Sequence, residues 1–544
     1  MDKKRSLLNV SVSIGFKFVI IILEIFVRRF LIRYVGNEIN GLNSLYISIL
    51  DFLAIAELGV GGAITYCMYQ PIVDGDREKT AALYHLFQKL YWIIGAVIVV
   101  VGCAIMPLLP YLAKDYAEAN VNLYLTFALM LSSVAITYLF SAKTSLINAY
   151  KDNYIVNTVS SLGRIVQCGL QMLVLFLTGS FIWYLVCRII SSVLQWVATE
   201  TIARYKHGDI IKIKSSVDSE TKKEVTKNVK AMFMHKIGGI LVNTADSIII
   251  SSFIGILILG KYSNYTAIVI AMTSVLTLCF TPLTSVVGHM FVEEGRETAK
   301  KYCGVFHTLN FVLGMVFFLG YYAVADNLVG VLFGAELELA KSVSFVITLN
   351  YFIQFMRQGC MLFRDATGTF YNDRWKPLFE GIINIGLSVL FVCVFPEDYK
   401  VVGVIAATII TNLFICHIIE PYVLYKHAFR SGMKQYYVQN YAYILIFGGI
   451  LAALNFSMVT LENQWLELLA NGGIALALSI VPCIAAIVLN RDFSNIMKNI
   501  LRKIFRRRVQ SETVSDVCND PKFSASDSEE KSADGENNSE EDRP

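Results

Sequence analysis

Lys17, Glu24 and Arg28 stand seven and four residues apart in the first apolar stretch of the chain. At about 100° per residue on a helix, the three fall within roughly 40° of arc and make one charged stripe. Glu24 and Arg28 have the spacing of a direct pair. A stripe this long cannot face hydrocarbon, so it faces a water-filled space or another polar helix.

Similar rows recur. One holds Ser44, Ser48 and Asp51, and another Asn157, Ser160, Arg164, Gln167 and Gln171. Further rows are Arg188, Ser192, Gln195 and Thr199, then Thr266, Thr273, Thr277 and Thr284. The last is Asn350, Gln354 and Arg357, followed by Arg364 and Asp365. The Ser/Thr rows read as helix-to-helix hydrogen bonding. Arg164 and Arg357 divide evenly between cavity lining and structural pairing, whereas Arg188 and Arg364 read as structural or interfacial.

Asp246 lies in NTADSIIISSFIGILILGKYSNY, residues 243 to 265, a run otherwise apolar enough to dissolve in lipid. A carboxylate at the centre of a membrane helix costs about 2.5–3.5 kcal/mol on insertion scales. It shares a helical face with Asn228, His235, Gly239 and Asn243. Two uses remain open: pairing with Arg28 or Arg164, or binding a proton or cation. Lys236 and Lys261, the nearest charges in sequence, tilt the balance towards ion coupling because both are at least ten residues away.

These residues need membrane helices to position them. The chain has 544 residues, 55% of them hydrophobic and 17% charged, against about 25% charged in soluble domains. About fourteen stretches are long enough to span, at about 20 apolar residues each, centred near 22, 55, 101, 133, 166, 191, 242, 274, 315, 352, 387, 413, 449 and 479. The start, MDKKRSLLNVSVSIG, lacks a small-residue cleavage site and reads as an uncleaved first membrane helix. Alternate connections hold 32 Lys and Arg against 7 on the other side. The positive-inside rule then puts the richer set and both termini in the cytoplasm.

Several function classes drop out. A net charge of +4 is too small to suggest nucleic acid, and the 11 cysteines form no CxxC pair and no Cys/His cluster. No HExxH, Walker A or nucleophile-elbow motif occurs, and the external connections are short, so an enzyme is not expected. A glycan polymerase or ligase, the rival from another class, would be expected to carry a substantial external loop.

The fold expected is an all-α polytopic membrane protein with a six-helix lobe at 1–204, a basic cytoplasmic linker at 205–228 and a second six-helix lobe at 229–434. Two additional helices follow at 435–490, then a basic amphipathic juxtamembrane helix at 491–508. Residues 509–544 are Ser/Asp/Glu-rich and are expected to be a disordered acidic tail.

The stretch 243–265 resembles the start of the second half of polysaccharide-export flippases, with its Asn-x-x-Asp helix, Gly-flanked link and Tyr. RRFLIRYVGNEINGLNSLY at 28–46, AELGVGGAITYCMYQPI at 56–72, LVGVLFGAEL at 328–337 and VVGVIAATIITN at 401–412 match in the expected order. The chain is thus similar to the polysaccharide-transport (Wzx-type) branch of the multidrug/oligosaccharidyl-lipid/polysaccharide (MOP) exporter superfamily. That resemblance implies two lobes in a V around a cationic cavity, as in the multidrug (MATE) exporters, working by alternating access. It implies a substrate too, an undecaprenyl-pyrophosphate-linked oligosaccharide for capsule or another surface polysaccharide, moved across the bacterial cytoplasmic membrane. A fourteen-span count departs from the usual twelve and matches lipid II flippases, which keeps that substrate as the alternative, with a drug/cation antiporter behind it.

Within this reading, Lys17, Arg28, Arg164 and Arg357 are the candidate headgroup contacts. Glu24, Asp51, Asn243 and Asp246 are candidates for cavity lining or ion coupling. No cofactor is expected beyond a coupling ion, H+ or Na+. The partners expected are the lipid-linked substrate, the bilayer and other polysaccharide-assembly proteins.

Overall fold

The computed structural model describes residues 3–57, 60–219, 222, 223, 225, 244–280 and 283–498. They fall into two units divided after Cys483. The second holds the end of the last long helix and a helical stretch at 491–498. The remainder of the basic segment expected at 491–508 and the tail at 509–544 lie outside the described residues, as does Asn243.

The first half of the chain is built from α1 (Lys3–Val35), α2 (Asn37–Leu53), α3 (Val60–Val73) and α4 (Arg77–Ile105). After these come α5 (Leu123–Ala149), α6 (Asn153–Thr178) and α7 (Phe181–Lys212). The second half begins with α8 (Thr244–Ile254), α9 (Ile256–Phe280), α10 (Leu283–Glu293) and α11 (Arg296–Phe333). It continues through α12 (Lys341–Met356), α13 (Gln358–Ala366) and α14 (Lys376–Val394). The next helix, α15, starts as Lys400–Thr411 and runs on through π-helical turns at Asn412–Cys416 and Leu424–Phe429, with His417–Val423 between them. Last are α16 (Lys434–Ser457) and α17 (Gln464–Leu489).

No strand occurs among the described residues, and ten of their helices are long and apolar enough to cross a membrane. The chain is a multi-pass membrane protein. Local chemistry sets several boundaries. Asp76 caps α4 by accepting from the Lys79 amide at 2.8 Å, and Asn122 caps α5 through the Leu125 amide at 3.0 Å. Gly36, at φ 115, makes the turn into α2 that a residue with a Cβ resists.

Two expectations change in detail. The stretch centred near 55 is not one helix but α2 and α3, parted by a 3-10 turn at Ala54–Glu57. Glycines 59, 61 and 62 follow that turn and weaken any continuous helix there. The region expected as a linker from 205 begins as the end of α7, which runs to Lys212 and kinks at His207.

The two halves meet most closely where α2 crosses α9. A Cβ on Gly41 would lie 1.9 Å from the Ile256 carbonyl oxygen, and one on Gly260 would lie 2.4 Å from that of Asn37. Small residues let membrane helices approach this closely, and polar side chains then hold them. Here Asn40 Nδ2 donates to Gly260 O at 3.2 Å and Asn264 Oδ1 at 3.0 Å, and Asn37 Nδ2 donates to Leu257 O at 3.0 Å. At the same end, the Lys114 amide donates to Ser251 O and the Ile256 amide to Lys114 O, each at 3.2 Å. Backbone therefore meets backbone across the two halves.

Candidate functional site

The charged stripe of α1 meets α6 at Glu24 and α9 at Arg28. Arg164 holds Glu24 through Nε and Nη2, each 2.8 Å from Oε1. Their side chains are 40% and 43% exposed, so the pair borders open space. Arg164 Nη1 also donates to Gln167 Oε1 at 3.4 Å, and Gln167 Nε2 to Gln171 Oε1 at 3.4 Å. Gln171 Nε2 anchors the row on the Tyr184 carbonyl at 3.3 Å. The polar row that spacing indicates on α6 is thus a continuous ladder, and its charged end is the one that faces out.

Glu24 does not take Arg28, the partner its helix spacing offers. Arg28 Nη1 instead donates to Ser263 Oγ at 2.8 Å and Asn264 Oδ1 at 3.3 Å on α9. It bridges the halves beside the Gly41 crossing. Lys17 is exposed, two turns before Glu24. Asp51 is exposed, and Arg188 lies within its electrostatic reach.

Arg188, which the sequence reads as structural or interfacial, belongs to the same group. It lies within electrostatic reach of Arg164, Asp51 and Glu24, and Tyr184 lies within reach of Arg28, Arg164 and Arg188 together. Three guanidiniums therefore gather around two carboxylates. Arg164 is neutralised by Glu24 and Arg28 is held by neutral oxygens. Arg188 makes no hydrogen bond or ion pair among the described residues. A half-buried guanidinium without a partner is a standing demand for an anion.

The second half holds a different chemistry. Asp246 is 8% exposed, and Thr408 Oγ1 donates to its Oδ1 and Oδ2 at 3.1 and 3.2 Å. Thr408 in turn accepts from Asn384 Nδ2 at 2.9 Å. Asn384 Oδ1 and, one turn further along α14, Ser388 Oγ are buried with no partner among the described residues. Asp246 makes no ion pair among the described residues, and Arg28 and Arg164 are engaged elsewhere. Its surroundings are carboxylate, carboxamide and hydroxyl oxygens, a donor set for a hard cation or for a proton held on the carboxylate. A π-helical turn follows each of the two contacting segments, at Ile250–Ile254 and Asn412–Cys416. Such turns re-aim side chains at functional positions.

Arg357 has a place other than the headgroup role assigned from its row. Its Nη2 and Nε clamp Glu420 at 2.6 and 3.1 Å, its Nη1 donates to Asn412 Oδ1, and Glu380 lies 3.7 Å away. Lys376 completes the group, 2.6 Å from Glu420 and 2.9 Å from Glu380. Glu420 and Lys376 are 1% and 3% exposed. With both its edges occupied, Arg357 serves in this conformation as half of an internal ion pair. Arg364 likewise pairs with Asp373 at 2.9 Å and Asp365 at 3.0 Å, which agrees with its structural reading.

Comparison with known proteins follows from this geometry. Residues 74–341 match the family described as polysaccharide biosynthesis protein. No curated protein matches the chain. Among solved structures, the chain is similar to the lipid II flippase MurJ in an inward closed conformation, with a TM-score of 0.59 and 14% identity, covering 89% of this chain and 99% of that one. It is similar as well to a multidrug resistance MATE family transporter of the MOP superfamily in an inward-facing conformation. There the TM-score is 0.55 and the identity 14%, over 77% of this chain and 100% of that one. At that identity the likeness is one of fold.

Proposed function

We propose that this chain is a polysaccharide-transport member of the MOP superfamily and flips an undecaprenyl-pyrophosphate-linked oligosaccharide across the bacterial cytoplasmic membrane, a reading supported by its fold and by the family match over 74–341. No bond is made or broken. The pyrophosphate and sugars cannot cross hydrocarbon unaided, so the protein supplies a polar route while the lipid tail stays in the bilayer. Arg188 carries this reading. It is the guanidinium in an open, cationic group that makes no hydrogen bond or ion pair among the described residues, and a pyrophosphate is the anion it fits.

Arg188→Gln is expected to weaken headgroup binding by about 1.5–3 kcal/mol, roughly 10- to 100-fold, while Arg188→Lys keeps part of it. The measurement is flipping of a pyrophosphate-linked oligosaccharide lipid in vesicles, read with a sugar-modifying enzyme added outside. Wild-type flipping by the Gln variant at equal reconstitution ends the assignment. Lipid II in parallel vesicles separates capsule-type substrate from peptidoglycan precursor.

With both termini in the cytoplasm, as the Lys/Arg distribution indicates, the Gly41–Gly260 crossing and the Lys114–Ser251 backbone bonds lie at the outer end. This conformation is then sealed towards the outside, and transport requires that seam to part. Gly41→Ala forces the helices apart, because the added methyl meets backbone that cannot rotate away. A cysteine replacing the buried Ser263 is expected to react severalfold faster with a membrane-impermeant thiol reagent in the Gly41→Ala background. Equal reactivity with normal transport counts against this seal.

Asp246 and its oxygen neighbours supply the coupling site in this scheme. A proton or sodium ion bound there neutralises the buried carboxylate and biases the second half between its arrangements.

A further inference from the structure

His307 on α11 is 1% exposed, and neither its Nδ1 nor its Nε2 has a hydrogen-bond partner among the described residues. One turn later, Asn310 is fully buried with Nδ2 and Oδ1 both unpartnered. Across from them on α16, Asn440 is fully buried. Its Nδ2 donates to His417 Nδ1 at 3.0 Å, and its Oδ1 is unpartnered. The rings of Tyr436 and Tyr443 lie 4.5 and 5.4 Å from the His307 ring, and these tyrosines flank Asn440 on the same helical face. Asn440 therefore points at the same place as His307. Gly359 borders that place from α13, since a Cβ built there would lie 3.2 Å from Asn310 Nδ2.

Five buried polar atoms without partners among the described residues thus lie on two helices packed against each other. Neutral imidazole and carboxamides ask for donors and acceptors together. The lining groups named here carry no net charge to hold a cation or an anion, and the nearby Arg357 is paired with Glu420. Water meets every requirement: it is small and neutral, and it donates and accepts. At about three hydrogen bonds per buried water, five such atoms call for two molecules or so.

We propose that His307, Asn310 and Asn440 form a buried water-binding chamber between α11 and α16. Elsewhere on this interface the contacts are direct. Phe311 stacks on Tyr443 at 4.0 Å, and Thr308 Oγ1 meets the Tyr443 hydroxyl at 3.2 Å. Water-mediated bonds are nearly as favourable as direct ones and re-form after small displacements. The chamber thus lets α16 shift against α11 without leaving a polar atom bare in the membrane interior.

X-ray radiolytic footprinting of the full chain in nanodiscs tests this, because radicals born from a bound water label the side chains beside it whatever their exposure. Tyr321, fully buried with its hydroxyl bonded to the Tyr265 carbonyl at 3.2 Å, is the dry reference. Tyr436 and Tyr443 are expected to label severalfold faster than Tyr321. In a His307→Phe/Asn310→Leu variant, which fills the chamber with apolar groups, their rates are expected to fall towards that of Tyr321. Should the variant fold poorly, the wild-type comparison decides alone. Tyr436 and Tyr443 labelling no faster than Tyr321 in the wild-type protein would mean a dry chamber and overturn the proposal.

Discussion

Glu420→Gln is expected to lower the unfolding free energy by about 3–5 kcal/mol, the usual cost of removing one partner from a buried ion group. Arg357 and Lys376 share Glu420, and only Glu380 remains once it is gone. Two cations then face one carboxylate at positions 13% and 3% exposed, with no room for solvent to compensate. The amide keeps the shape of the side chain, so packing is little changed and the loss isolates charge. Adding Lys376→Met restores neutrality and should recover most of the stability. Thermal and denaturant unfolding of the single and double variants in the same detergent provides the check. A Gln variant as stable as wild type, or a double variant weaker than the single, contradicts a charge-balanced group.

Asp246→Asn is expected to leave the fold intact and to remove the dependence of flipping on an ion gradient. The amide oxygen still accepts from Thr408 Oγ1, which reaches both carboxylate oxygens, and no described cation is stranded. What it loses is the ability to exchange charge for a bound proton or sodium ion. Vesicles with imposed proton or sodium gradients, compared with none, separate the two ions. The melting temperature of the variant reports the fold. Wild-type stability with an unchanged gradient response sinks the coupling role. A large fall in melting temperature would instead mark Asp246 as half of an ion pair.

Sequence by itself determined the class of the protein. Apolar runs of spanning length and their helical rows of polar residues are local properties, and they persist because hydrocarbon leaves the backbone little choice but helix. The ladder Arg164–Gln167–Gln171 and the isolation of Asp246 were legible for the same reason: both depend on spacing along one helix. The resemblance of 243–265 and the other matching stretches to polysaccharide-export flippases added the fold.

Partner choice was not legible. Glu24 had Arg28 at the right local distance, yet it pairs with Arg164, 140 residues away. Arg164, Arg188 and Arg357 look alike in sequence, each an arginine on a polar row without an acid one turn away on its own helix. Crossing helices bring Glu24 to the first and Glu420 to the third, and bring neither into contact with the second. An ion pair in a membrane interior is decided by which charges the crossings bring within a few ångströms, and Coulomb energy there is too steep for periodicity to anticipate. Tertiary structure alone, therefore, decided which arginine is left without an ion pair among the described residues.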